Sequence, residues 1–229
     1  MTLPIHKRLL SEAFGTFWIV FAGTGAIVVS DVSGVISHAG VAIAFGLAVF
    51  AMISALGDIS GAHFNPAVTM GFYLAKRLPG DNVLPYIASQ IVGAFFASFL
   101  LRILFPLHES LGSTNPAGTF VPSWVLEVVL TMALMFVILS VSRGAREKGI
   151  TAGLAIGGVV ALEALFAGPI SGASMNPARS LAPAVVSGDV KNIFLYLTAP
   201  FVGAALAVVF CRCAREKECC SRNAVESCS

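Results

Sequence analysis

The sequence predicts an all-α membrane protein of six transmembrane helices and two reentrant half-helices, arranged as an inverted 3+3 repeat. Hydrophobic residues make up 57% of the 229 residues and charged residues only 11%, whereas a soluble domain carries about 25% charged residues. The apolar residues gather into six long stretches. The phrase SGAHFNPAVT at residues 60–69 also returns as SGASMNPARS at 171–180, with six of ten positions identical.

Each apolar stretch is near the ~20 residues that a helix needs to cross the hydrocarbon. The stretches lie at about 9–30, 37–56, 84–105, 123–142, 150–167 and 192–211. Two shorter segments, about 66–75 and 177–186, follow the repeated phrases. Each is half a crossing long. Irregular backbone at that depth must line a cavity or be buried in protein, because the bilayer core supplies no hydrogen-bond partners.

The constant offset of 111 residues between the two phrases divides one domain, 1–229, into two halves. We place repeat one at about 8–106 and repeat two at about 122–211, followed by a Cys-rich tail at 212–229. Each half has three spans, so the second half enters the membrane from the opposite side. Paired interruptions in two such halves indicate a transport site near the membrane midplane.

Basic residues predict the orientation, because Lys and Arg concentrate on the cytoplasmic side of membrane proteins. A topology with both termini cytoplasmic places eleven of the fourteen on that side, and only Arg102, Arg179 and Lys191 elsewhere. The eleven are Lys7, Arg8, Lys76, Arg77, Arg143, Arg146, Lys148, Arg212, Arg215, Lys217 and Arg222.

Each repeated phrase contains a signal for a helix start. Asn65 and Asn176 suit the N-cap, and Pro66 and Pro177 suit the first helical position. The two half-helices are therefore expected to point their N-termini, which carry roughly half a positive charge each, at one another. A third Asn-Pro-Ala, at 115–117, lacks a following apolar half-span and is expected in the loop between spans three and four.

These features together resemble the aquaporin, or major intrinsic protein, family. They are two NPA boxes, a Ser-Gly-Ala before each, an arginine after the second, and an acid early in spans one and four. The residues are Asn65, Pro66, Ala67, Asn176, Pro177, Ala178, Arg179, Glu12 and Glu127. The stretch LFAGPISGASMNPARSLAPA at 165–184 resembles the nodulin-like intrinsic proteins of plants and their bacterial relatives.

The resemblance implies a homotetrameric channel in the cell membrane, with one pore per subunit and no cofactor, metal or nucleic-acid partner. Water, glycerol-like polyols and neutral metalloid acids such as arsenite or boric acid are the implied solutes. It also implies a central constriction at Asn65 and Asn176 and an outer filter of four residues. Counted from the boxes, the outer filter is Phe45, Ala164, Ala173 and Arg179. Two methyl groups in that set predict a wide, weakly polar opening.

Acidic residues within the predicted spans leave an alternative open, since charged residues inside a membrane are functional candidates. The resemblance implies that Glu12 and Glu127 support the reentrant loops, whereas a proton-coupled secondary transporter would use Glu12, Glu127 and Glu163 as proton carriers. Glu163 either bonds to a neighbouring helix or tunes the vestibule potential. Asp58 is a solvated loop acid or a pH-sensitive group at the cytoplasmic mouth.

No nucleophile–base pair, metal triad or nucleotide loop is recognisable, so the chain is not predicted to be an enzyme. All five cysteines lie at the C-terminal end, with a spacing that fits no standard zinc pattern. They are Cys211, Cys213, Cys219, Cys220 and Cys228. Metal or arsenite capture, acylation, and no transport role at all remain open for them.

Overall fold

The structure, a computed structural model, describes residues 3–142 and 147–214. These residues form eight α-helices and one short 3₁₀ turn, and no strand occurs among them. The helices are α1 Ile5–Ser33, α2 His38–Ser60, α3 Pro66–Leu74, α4 Val83–Leu104, α5 Phe120–Val141, α6 Glu147–Ser171, α7 Pro177–Ser187 and α8 Ile193–Ala214. The predicted fold class is confirmed, while most of the tail and residues 143–146 lie outside the described ranges.

Six of these helices are long and apolar enough to cross a membrane. The other two, α3 and α7, have nine and eleven residues, which at 1.5 Å per residue covers about half of a ~30 Å hydrocarbon core. Both begin at an NPA box. The Asn65 side chain accepts from the Ala67 N–H at 2.8 Å, and that of Asn176 accepts from the Ala178 N–H at 3.0 Å.

Small residues allow the helices of each half to cross closely. A Cβ added to Gly93 of α4 would lie 2.0 Å from the carbonyl oxygen of Ala13 in α1. In the second half, a Cβ on Gly203 of α8 would lie 2.4 Å from the carbonyl oxygen of Val128 in α5. The two crossings are equivalent, because Gly93 and Gly203 are 110 residues apart, close to the offset of the repeated phrases.

The two halves meet where α2 crosses α6, at Gly46 and Gly157. A Cβ on either glycine would lie 2.5 Å from the carbonyl oxygen of the other. The offset of 111 maps Gly46 onto Gly157. A contact between two residues that map onto each other marks the axis that relates the two halves, so the inverted repeat inferred from the sequence is present in the fold.

The loop from Phe105 to Thr119 joins the halves between α4 and α5. It contains the third Asn-Pro-Ala, which starts no helix, as predicted. Asn115 instead ties the loop to the turn after α7, where its side chain contacts Asp189 and Asn192.

Arg102, one of the three basic residues that the predicted orientation leaves off the cytoplasmic side, anchors this same loop. Its guanidinium donates to the carbonyl oxygens of Pro106 at 3.2 Å and His108 at 2.7 Å. The Arg102 side chain therefore binds the backbone of the loop. This structural role explains why Arg102 does not lie with the other basic residues.

The α2–α6 crossing gives a matched pair of test substitutions on neighbouring residues. Gly157→Ala should destabilise the protein by about 1–3 kcal/mol, because the new methyl group meets the α2 backbone. Gly158→Ala should be neutral or stabilising by up to about 1 kcal/mol, because no atom lies within 4 Å of its Cβ position. Thermal unfolding of both variants in one detergent measures the difference. Equal unfolding temperatures would contradict the tight crossing.

Candidate functional site

Two loops with the same unusual backbone precede the half-helices. Each starts with a glycine at positive φ, 88° at Gly61 and 86° at Gly172. Each then carries two further residues in the left-handed region. These are Ala62 at 50°, Phe64 at 50°, Ala173 at 42° and Met175 at 54°. Residues with a side chain disfavour this region, so contacts from outside each loop must hold it.

Glu12 of α1 supplies those contacts for the first loop. One carboxylate oxygen accepts from the Ser60 hydroxyl at 2.7 Å and from the His63 N–H at 2.9 Å. The other accepts from the Phe64 N–H at 2.7 Å and from the Gln90 side-chain amide at 2.8 Å. The residue is completely buried, and three of its four hydrogen bonds hold Ser60, His63 and Phe64 in place.

Glu127 of α5 repeats the arrangement for the second loop. It accepts from the Ser171 hydroxyl at 2.7 Å and from the Ser174 and Met175 N–H groups, both at 2.9 Å. It is also completely buried. The structure thus places both acids against the loops that precede the half-helices.

A pair of tyrosines, which sequence reasoning did not assign to the loops, holds the other side of each loop. The Tyr86 hydroxyl donates to the Ser60 carbonyl at 2.8 Å, and the Tyr196 hydroxyl donates to the Ser171 carbonyl at 2.5 Å. A signal was present, because the two tyrosines stand 110 residues apart. Their surroundings share little sequence, so the spacing alone had to identify them.

The tips of the two half-helices are joined directly. The side-chain amide of Asn65 donates to the Met175 carbonyl at 2.8 Å, and that of Asn176 donates to the Phe64 carbonyl at 3.0 Å. Each asparagine therefore caps its own half-helix with its oxygen and grips the opposite loop with its nitrogen. An amide nitrogen carries two hydrogens, so each asparagine retains one N–H for another acceptor.

Arg179 lies in the first turn of α7 and its side chain is held from two sides. Its Nη1 donates to the Gly112 carbonyl oxygen of the α4–α5 loop at 2.9 Å, and its Cζ lies 5.2 Å from the centroid of the Phe45 ring. The ring fits because Gly23 has no side chain: a Cβ there would lie 2.1 Å from a Phe45 ring carbon. The structure therefore brings Arg179 and Phe45 together.

The other two predicted filter residues lie in the second half. Ala173 is buried within the reentrant loop, and Ala164 is half-buried on α6. Pro169 lies inside α6 and has no N–H to donate to the Leu165 carbonyl. The His38 ring at the start of α2 contacts that oxygen at 2.7 Å through Nε2. This bond links α2 to α6 one residue from Ala164, and no sequence pattern predicted it.

Glu163, next to Ala164, is 4% exposed. Its Oε2 is sealed from solvent and has no hydrogen-bond partner. The expected bond to a neighbouring backbone is therefore absent at this oxygen. Asp58, in contrast, is exposed at the end of α2, as expected for a solvated acid.

The offset of 111 maps the outer filter onto four positions in the opposite halves, all with apolar side chains. Two are buried and two are half-buried. They are Ile156, Ile53, Ala62 and Val68. No arginine occupies this set, so the fixed positive charge of Arg179 has no counterpart among them.

Of the cysteines, Cys211 is buried and Cys213 is exposed near the end of α8. The other three, Cys219, Cys220 and Cys228, lie outside the described residues.

The amino-acid sequence is similar to those of known plant proteins. The chain is 47% identical to Aquaporin NIP1-1 of Oryza sativa subsp. japonica over 205 residues, covering 89% of this chain and 72% of that protein. It is 42% identical to Nodulin-26 of Glycine max over 206 residues, covering 89% and 76%. The nodulin-like resemblance is therefore confirmed.

The fold itself matches the X-ray structure of the aquaglyceroporin from Plasmodium falciparum, with a TM-score of 0.82. The match covers 90% of this chain and 95% of that one, at 23% identity. A family model described as Major intrinsic protein matches residues 1–210. The chain belongs to the major intrinsic protein family of non-enzymatic membrane channels.

Proposed function

We propose that this protein is a passive transmembrane channel for water and small uncharged solutes that excludes ions and protons. The class of solute is glycerol-like polyols, with neutral metalloid acids such as arsenite or boric acid as further candidates. The observation that carries the proposal is the direct junction of two asparagine-capped half-helices, through the Asn65 and Asn176 side chains.

The junction supports exclusion of cations at the centre of the molecule. Two helix N-termini place about half a positive charge each at the same point. Asn65 and Asn176 each retain one N–H, which suits a neutral solute with oxygen acceptors. Pro66, Ala67, Pro177 and Ala178 complete the NPA boxes and start the half-helices without needing a backbone donor at the proline.

The outer filter we propose consists of Phe45, Ala164, Ala173 and Arg179. Arg179 provides a fixed charge and hydrogen-bond donors, and Phe45 provides an apolar wall against which the guanidinium lies. Pore width and the lining donors determine selectivity in such channels. Alanine methyl groups at the other two positions leave room for a solute larger than water.

The proposed role of Glu12 and Glu127 is support of the reentrant loops. Both oxygens of each carboxylate already accept hydrogen bonds from loop groups. A proton-coupled transporter needs an acid that takes up and releases protons during the cycle, and these two would lose loop contacts on every protonation. This argues against Glu12 and Glu127 as proton carriers, so the coupled alternative would have to rely on Glu163.

For assembly and orientation we propose a homotetramer in the cell membrane, with both termini cytoplasmic. An even number of spans puts the start of α1 and the end of α8 on the same side of the membrane. In this topology most basic residues of the sequence fall on that side, which favours a cytoplasmic location for it.

The function is tested in proteoliposomes made from the purified protein. We expect rapid osmotic shrinkage in a sucrose gradient, and rapid re-swelling in a glycerol gradient, at rates well above those of empty vesicles. Glycerol should reach equal concentrations inside and outside, whatever the sodium or proton gradient. Absence of flux above empty vesicles, or uphill accumulation driven by an ion gradient, would contradict a passive channel.

The proposed filter width is tested by a series at one position, Ala164→Gly, Ala164→Val and Ala164→His. We expect glycerol flux to fall along this series by about tenfold or more, while water flux falls only about twofold, because width excludes the larger solute first. Stopped-flow light scattering on matched vesicle preparations measures both rates. A constant ratio of glycerol flux to water flux across the series would remove Ala164 from the filter.

Arg179→Val tests the charge of the filter. We expect faster leakage of protons and small cations, by about tenfold or more, because the fixed positive charge is lost at a narrow point. A pH-sensitive dye inside vesicles under a potassium diffusion potential reports the leak. Lys191→Val is the matched control, since Lys191 is exposed in the turn before α8. Equal leaks from both variants would argue against a role for Arg179 in exclusion.

A further inference from the structure

The ring of His108, in the α4–α5 loop, accepts a hydrogen bond from the Leu111 N–H. Leu111 directly precedes Gly112, whose carbonyl oxygen accepts from Arg179. We propose that His108 is a positioning residue for Arg179, and that its protonation slows permeation. This rests on the channel function proposed above.

The tautomer of the His108 ring is fixed by its neighbours. Nδ1 accepts a hydrogen bond from the Leu111 N–H at 3.0 Å, so in the neutral ring the hydrogen is on Nε2. Nε2 lies 3.4 Å from Oδ2 of Asp31 at the end of α1. The His108 side chain is only 9% exposed, whereas that of Asp31 is 53% exposed. The ring is therefore clamped between the loop backbone and an acid in contact with water.

The bond from Leu111 stabilises a strained turn. Leu111 and Gly112 are consecutive residues at positive φ, 51° and 72°. Leu111 is a branched residue that disfavours this region, and it is completely buried. A Cβ added to Gly112 would lie 2.9 Å from Cβ of Thr24, so the turn is also pressed against α1. The Gly112 carbonyl at this turn accepts from Arg179.

Protonation of His108 removes the acceptor that holds the turn. Both ring nitrogens of an imidazolium are donors, so Nδ1–H would face the Leu111 N–H. Leu111 then leaves its strained conformation, and the Gly112 carbonyl moves with it. Arg179 loses a hydrogen bond at Nη1 and turns towards acceptors in the pore, which narrows the filter.

The charged groups around His108 confine this change to the turn. Asp31 from α1 faces the ring, with its Oδ2 3.4 Å from Nε2 of His108. Arg102 from α4 donates to the His108 carbonyl and keeps that end of the loop in place. Asp189, after α7, holds the far end of the loop through Asn115. Glu109, the next residue in the loop, is exposed. Ser113 and Thr114 are also held, by Asp189 at 3.1 Å and by Ser180 at 2.8 Å, so the rearrangement we propose is confined to Leu111 and Gly112.

The test measures glycerol flux in proteoliposomes at about pH 8 and about pH 5, equal on both sides, because histidine changes charge in this range. Glycerol is uncharged at both values. We expect the flux of the unaltered protein to fall about threefold or more at the lower pH. The glycerol flux of His108→Asn should be the same at both pH values and equal to that of the unaltered protein at about pH 8. The Asn side-chain oxygen can accept from Leu111 but does not titrate.

His6→Asn is the matched control, since His6 is exposed at the start of α1 and should leave the fall intact. His108→Ala removes the acceptor, so its glycerol flux should be low at both pH values. The unfolding temperature of this variant is recorded to separate the effect from misfolding. A fall that persists in His108→Asn, or no fall in the unaltered protein, would overturn the proposal. Absence of both glycerol and water flux already at about pH 8 would instead refute the channel function.

Discussion

Two buried carboxylates hold the loops on which the rest of the molecule depends. Glu12 and Glu127 each accept two consecutive loop N–H groups, which no helix or strand is available to satisfy. Within a bilayer an unpaired backbone group costs several kcal/mol. The left-handed residues at Ala62 and Ala173 therefore persist because a buried glutamate side chain accepts from the N–H groups that follow them. The loops in turn aim the half-helix tips at each other.

The architecture follows from applying this device twice and joining the copies through small residues. Gly46 and Gly157 let α2 and α6 approach to backbone contact on the axis that relates the halves. Such contacts are how helices associate in a membrane, where apolar side chains gain little by meeting one another. The same closeness brings the loops near enough for Asn65 and Asn176 to bond across the junction.

Much of this could be predicted from the sequence because it repeats. The half-helices at Pro66–Leu74 and Pro177–Ser187 agree closely with the segments expected after the two boxes, since cap and proline chemistry is local. The bond from His38 to Leu165 could not be predicted, because a proline frees the carbonyl but many side chains could reach it. The hydrogen bond from Arg179 to the Gly112 carbonyl could not be predicted either, because any residue at that position would supply a backbone carbonyl.

The two halves differ in the side chains that surround their matching loops, and this difference gives the molecule a direction. In the first half, Thr69 lies between the His63 ring at 3.2 Å and the Gln90 amide at 2.9 Å. In the second, Ser180 bonds to Ser174 and to Thr114 of the α4–α5 loop, the latter at 2.8 Å. That loop thus reaches only one half-helix. An inverted repeat alone would give equal ends, so Arg179 and the contacts that the loop between the repeats makes with α7 distinguish one end from the other.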